Sequence, residues 1–213
     1  MESFGLYSNV INVNGVNGVK YTLDENIVEY LNDILVNKLE DKKPGFFSPS
    51  NSRNHRVRVS QKKSNTTEKI INIVKPFFES SGLIVNPDNG YIDYESYTYN
   101  DPKHIDTTYD ISQENTEYYS HVNVCYIITQ KDTNLKGGNI SLYEDYPSFL
   151  QVFGYEKEEK EEVKLEKGSV FLFPGDAYTK LEGCSGSGIF SFISIVLYSE
   201  KRFGYQYDND DDD

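Results

Sequence analysis

Residues 96–106 read SYTYNDPKHID, and how this stretch folds decides how the rest of the chain is read. Its first half alternates Tyr97 and Tyr99 with Ser96 and Thr98, the period of a strand with one aromatic face. Asn100, Asp101 and Pro102 end that run. His104 and Asp106 follow two residues apart, so in extended chain both side chains share a face, as two ligands of one ion must. Neutral imidazole plus carboxylate suits ferrous iron, and one more histidine would complete a facial triad with open coordination positions. The plain alternative is a loop histidine hydrogen-bonded to Asp106 or Asp110.

Downstream the chain stays β in character. GYIDYESYTYN, SHVNVCYIITQ, GGNISLYED, SVFLFPGD and GIFSFISIVLYS are short runs rich in β-branched and aromatic residues, separated by Gly, Asn, Asp and Pro. Upstream, LDENIVEYLNDILVNKLEDKK predicts a helix with Asp24 as N-cap and Ile27, Val28, Leu31, Ile34, Leu35 and Leu39 on one face. TTEKIINIVKPFFESSG predicts a second, with Ile70, Ile71, Ile73, Val74, Phe77 and Phe78 toward a core and Pro76 disturbing its last turns. NVNGVNGV reads as an irregular lead. Helices first and strands afterwards predict an α+β domain whose helices cover one face of a sandwich or barrel. GYEKEEKEEVKLEKG is too charged for a core and reads as a surface insertion or a solvated short helix. The tail YDNDDDD is expected to repel itself into disorder.

A length of 213 residues suits one domain. With 34 acidic against 21 basic residues the net charge is −13, which argues against nucleic acid or anionic membrane surfaces as bulk partners. No apolar run resembles a signal peptide or approaches the roughly 20 residues of a membrane helix, so the expected location is intracellular, cytoplasmic or nuclear. Cys125 and Cys184 lack metal-site spacing, and Cys125 sits in an apolar run as buried thiols do. Arg53, His55, Arg56, Arg58, Lys62 and Lys63 crowd into one basic stretch. It reads as a solvated basic loop and edge strand, with Val57 and Val59 inward and the arginines toward solvent, and Arg53, Arg56 and Arg58 are the candidate partner contacts. GCSGSG follows no strand-to-helix turn and carries no nucleophile motif, and VNGVNGVK lacks the Ser or Thr of a phosphate loop.

Over about residues 85 to 200 the chain resembles the iron(II)- and 2-oxoglutarate-dependent dioxygenases, in their prolyl-hydroxylase-like branch. The resemblance rests on the order of SYTYNDPKHID, HVNVCYIITQKDTN, LKGGNISLYED, LEKGSVFLFPGD and GSGIFSFISIVLY. It implies a double-stranded β-helix, or jelly-roll, spanning 85–200, with the helices of 1–84 packed on its major sheet and an acidic tail at 201–213. It further implies Fe(II) on His104 and Asp106, 2-oxoglutarate as cosubstrate, and Tyr97, Tyr126 and Lys180 as cosubstrate-binding candidates. The family pattern expects a distal histidine a few residues past FLFPGD and a basic residue nine or ten residues beyond it. This chain has no histidine after His121. The ligand position falls on Tyr178 or Lys180, and the basic position near Gly188 or Ile189.

Three readings follow. In one, the chain keeps the hydroxylase shape without cofactors and binds a protein partner. In another, it is an active hydroxylase of a protein side chain whose third ligand is Asp176, Tyr178 or Glu182, with Lys180 or a lysine on another strand holding the cosubstrate. In the third, the match is accidental. His121 reads as a structural histidine. Tyr97, Tyr99, Tyr119, Tyr126 and Tyr143 read as pocket lining or as aromatic cross-strand pairs.

Overall fold

The computed structural model describes residues 9–13, 16–40, 55–61, 64–99, 122–143, 160–175 and 177–200. In chain order the elements are β1 (Asn9–Val13), β2 (Val16–Thr22), α1 (Glu25–Glu40), β3 (His55–Gln61), α2 (Asn65–Ser80), β4 (Val85–Tyr99) and β5 (Val122–Lys131). There follow β6 (Lys136–Gly137), β7 (Ile140–Tyr143), β8 (Lys160–Val163), β9 (Ser169–Pro174), β10 (Tyr178–Leu181), β11 (Cys184–Ser185) and β12 (Gly188–Ser199). Seven strands form one antiparallel sheet in the order β1-β2-β9-β5-β12-β4-β3. A smaller antiparallel sheet runs β10-β7-β8, and β11 pairs with β6.

Strand alternation divides the large sheet into two buried faces. Ile92 and Tyr94 of β4, Cys125 and Ile127 of β5, Val170 and Leu172 of β9, and Ile193, Ile195 and Leu197 of β12 share a core with the helices. Against them lie Val28, Leu31 and Leu35 of α1 and Ile70, Val74 and Phe78 of α2. The opposite face carries Tyr97, Tyr126, Ile128, Phe171, Phe173, Phe190 and Phe192, packed against Ile140, Leu142, Val163 and Leu181 of the small sheet. Full burial of each such side chain contributes roughly 1.5–3 kcal/mol. One large sheet therefore has helices on one side and a second sheet on the other.

α1 starts where Asp24 predicts: the Asp24 carbonyl accepts from the amides of Ile27 and Val28. α2 begins with a reciprocal cap, in which the Ser64 hydroxyl accepts from the Thr67 amide at 3.2 Å and the Thr67 hydroxyl accepts from the Ser64 amide at 2.6 Å. Ser64→Ala is expected to cost about 1 kcal/mol, read as a shift of the denaturant midpoint at unchanged slope.

The structure corrects several expectations. α2 runs through Pro76 to Ser80, because Pro76 lies on the exposed face, while Phe77 and Phe78 are buried and hold the last turn. Strands precede the helices. NVNGVNGV is not an irregular lead: most of it lies in the antiparallel pair β1–β2, with Val13 opposite Val16. Within GYEKEEKEEVKLEKG, Lys160–Val163 is an edge strand of the small sheet, and Val163 and Leu165 are core residues; their spacing of two lets Lys164 between them face away.

His104, Asp106, His121, Tyr119, Asp176, Arg53 and the tail lie outside the described residues. Among the described residues, no helix is long and apolar enough to cross a membrane.

Candidate functional site

Two of the cosubstrate-binding candidates, Tyr97 and Tyr126, lie in the core between the two sheets. Both contact the ring of Phe192. Tyr97 stacks on Phe192 at 6.0 Å between centroids, and Tyr126 meets Phe192 edge-on at 5.5 Å and Phe173 edge-on at 5.3 Å. Offset and edge geometries of this kind each add about 0.5–1.5 kcal/mol to area burial. Both tyrosines are less than a tenth exposed.

Two carboxylates, unnoticed in the sequence, share this face. Asp93 and Glu95 are almost fully buried, and Glu95 sits opposite Phe192 in register. The Tyr97 hydroxyl donates to Glu95 Oε2 at 2.7 Å. Their signal was the alternation of IDYESYTY itself, which sends Ile92 and Tyr94 to the helices and Asp93, Glu95, Tyr97 and Tyr99 to the other side. β3 runs beside them with Arg58 opposite Glu95 and Arg56 opposite Tyr97.

Lys180 is held elsewhere. On β10, Thr179 and Leu181 lie opposite Leu142 and Ile140, which belong to the core between the sheets. Alternation puts Lys180 on the other face, opposite Ser141. There its ammonium pairs with Glu182 at 3.3 Å, and the same carboxylate accepts from the Ser141 hydroxyl at 2.8 Å. Tyr178 pairs with Tyr143. The structure therefore brings Tyr97 and Tyr126 together and sets Lys180 on the opposite side of its strand.

The start of β12, where the resemblance expects a basic residue, has Phe190 1% exposed, in contact with Phe192 at 5.6 Å and opposite Tyr97 on one side and Lys131 on the other. Lys131 reaches this face through a bulge. Between Phe192↔Ile128 and Ser191↔Gln130 the register shifts by one residue of β5, which reverses the alternation beyond it. The Lys131 ammonium donates to the Leu165 carbonyl, and burial holds its pKa below the usual lysine value.

A groove of about 450 Å³ runs between α1 and the end of β5, with Glu29, Asn32, Asp33, Gln130, Asp132 and Lys167 in its wall. Asp132, just after β5, holds the start of β12: its Oδ2 accepts from the Ile189 amide at 2.9 Å, and its Oδ1 accepts from Gln130 Nε2 at 2.9 Å.

Both cysteines are free and buried. Burial pushes the Cys184 thiol up to about 11 and raises that of Cys125 further. Since the thiolate is the reactive form, neither is expected to react with a disulfide reagent at pH 8 in the native protein. Cys184 should become reactive only as the pH approaches 11. Rapid native-state modification at pH 8 would contradict this burial.

No family model matches the chain, and no curated protein matches it in sequence. Solved structures do match. The non-heme alpha-ketoglutarate-dependent carbocyclase SnoK from nogalamycin biosynthesis matches at a TM-score of 0.54 and 12% identity, over 89% of this chain and 83% of that one. A prolyl-4-hydroxylase from Pseudomonas putida matches at 0.48 and 7% identity, over 87% and 92%. The viral collagen prolyl hydroxylase of Paramecium bursaria Chlorella virus-1 matches at 0.45 and 13% identity, over 91% and 97%. By the first of these likenesses, the chain has the fold of a non-heme alpha-ketoglutarate-dependent enzyme.

Proposed function

We propose that this chain is a double-stranded β-helix protein of the prolyl-hydroxylase-like type that has given up iron and 2-oxoglutarate and serves as a protein-binding module. One observation carries the reading: Phe190 fills the start of β12 as a buried member of the aromatic core. In the family the chain resembles, that region supplies the cation that pairs with the cosubstrate carboxylate. A phenyl ring offers no charge-assisted hydrogen bond, which is the main source of affinity for such an anion. β10 supports the same reading, because it presents Thr179 and Leu181 toward the other sheet and engages Lys180 with Glu182 behind it. At both positions the described residues do not fit the iron and 2-oxoglutarate pair. The order of β4, β12, β5 and β9 facing β10, β7 and β8 supports the β-helix architecture.

For the partner surface, the basic stretch is the candidate. Among the described residues β3 is an edge strand of the large sheet, and edges that carry cationic side chains resist self-association while remaining open to a complementary strand. A protein partner met there would contact Arg56 and Arg58, and Arg53, two residues before the strand in sequence, is the third candidate. A charge-reversal series at these arginines that left every partner interaction intact would remove them from the surface.

The deciding experiment is anaerobic titration of Mn(II), as a redox-silent substitute for Fe(II), into metal-stripped protein with and without 2-oxoglutarate, read by electron paramagnetic resonance. The expected result is no site tighter than in His104→Ala or Asp106→Ala, and no tightening by 2-oxoglutarate. A site lost in both variants and tightened by 2-oxoglutarate would replace this reading with that of an active hydroxylase using an atypical third ligand.

A further inference from the structure

Three lysines from separate parts of the chain converge on the segment that leads from β8 to β9. Lys131 at the end of β5 donates to the Leu165 carbonyl, and Lys20 of β2 donates to the Lys164 carbonyl. Lys164 itself pairs with Glu166 at 2.9 Å. Lys20 lies opposite Phe171 and Lys131 opposite Phe190, so both stems leave the large sheet on the face of the aromatic core.

The charge balance is uneven. Three ammonium groups surround one carboxylate, Glu166, which is the acid that acts on both Lys20 and Lys131. Neither Lys20 nor Lys131 touches a carboxylate among the described residues; each gives one of its three N–H donors to a neutral carbonyl. Both are partly buried, and burial, with repulsion from Lys164, disfavours the charged form of each against the pull of Glu166. In a chain of net charge −13, a local excess of positive charge with spare donors is a physical complement for an anion.

We propose that Lys20, Lys131 and Lys164 form a binding site for a compact oxyanion, a carboxylate or phosphate group, held at the rim of the aromatic core beside Leu165. The geometry suits lysine chemistry, since three flexible point charges can close on a small anion without the planar match that arginine imposes. Lys131 is the central member: the bulge in β5 aims it at this rim, and its carbonyl partner belongs to a fully buried residue. This inference goes beyond the proposed function and stands without it, because it requires no metal.

The test is isothermal titration calorimetry of EDTA-treated protein with succinate and, separately, inorganic phosphate, at low and high sodium chloride. One of the two anions is expected to bind in a salt-sensitive manner. Lys131→Met and Lys20→Met are each expected to weaken it roughly tenfold or more, the loss that follows from removing a charged hydrogen-bond donor, whereas Lys131→Arg should retain most of it. Which anion binds tells a carboxylate ligand from a phosphate ligand. Binding of neither, or equal affinity in wild type and both methionine variants, overturns the proposal. Should Lys131→Met fail to fold, as its melting curve would reveal, Lys20→Met and Lys164→Met decide the matter alone.

Discussion

Phe190→Ala is expected to lower the unfolding free energy by about 3–5 kcal/mol. The ring is 1% exposed, packs against Phe192 and belongs to the cluster that joins the large sheet to the small one. Truncation forfeits its transfer free energy and also leaves a cavity whose walls are fixed by β12 on one side and by the β6–β11 ladder near Cys184 on the other, so collapse can recover little. Guanidinium chloride unfolding would show a lower midpoint at nearly unchanged slope. Phe190→Arg is expected to be worse, because the cation would enter an aromatic core directly opposite Lys131, and the Glu95 carboxylate on that face already accepts from Tyr97. If Phe190→Arg were instead tolerated and acquired 2-oxoglutarate binding, the aromatic core would be a recent filling of an otherwise intact cosubstrate pocket. Stability loss without binding identifies the ring as structure.

Gly90→Ala is the second change expected to matter, at the upper end of the roughly 1–3 kcal/mol that overpacking costs. A Cβ at this position would stand 2.2 Å from the Val196 carbonyl oxygen and 2.8 Å from Leu197 Cδ2. The oxygen belongs to the backbone of β12, an interior strand paired on both sides by β5 and β4, and cannot rotate aside. Relief therefore requires β4 and β12 to separate next to the bulge between Leu197 and Tyr198. Gly82→Ala provides the comparison: its φ is +76° and nothing stands within 4 Å of a Cβ there, so its cost is that of a left-handed alanine alone, about 1–2 kcal/mol. Thermal or denaturant unfolding of the two variants separates steric exclusion from backbone conformation; a smaller loss for Gly90→Ala than for Gly82→Ala would mean that the two strands give way easily.

The helices and the central strands were legible because their signals are local. Val28, Leu31 and Leu35 repeat at helical spacing, and Phe190 and Phe192 against Ile193 and Ile195 carry the strand period, so burial follows from residue type and position alone. The β1–β2 hairpin was not legible, since NVNGVNGV reads as an irregular lead until Val13 is seen opposite Val16. The strand Lys160–Val163 was hidden, because three of its four residues are charged and only contact with β7 shows that Val163 faces a core.

By itself the sequence determined the amphipathic helices, the alternating strands and the presence of His104 and Asp106 two residues apart. Tertiary structure decided which face each polar group joins. Alternation counted straight along β5 would send Lys131 to the helices with Cys125 and Ile127; the bulge sends it to the side of Phe190, where it meets Leu165. In the same way, Lys180 is directed to Glu182 by the register of β10 on β7. The physical reason is that a strand's side-chain period is two, so a single inserted residue or a one-residue choice of register reverses every face beyond it, and that choice is made by the partner strand rather than by the residues themselves.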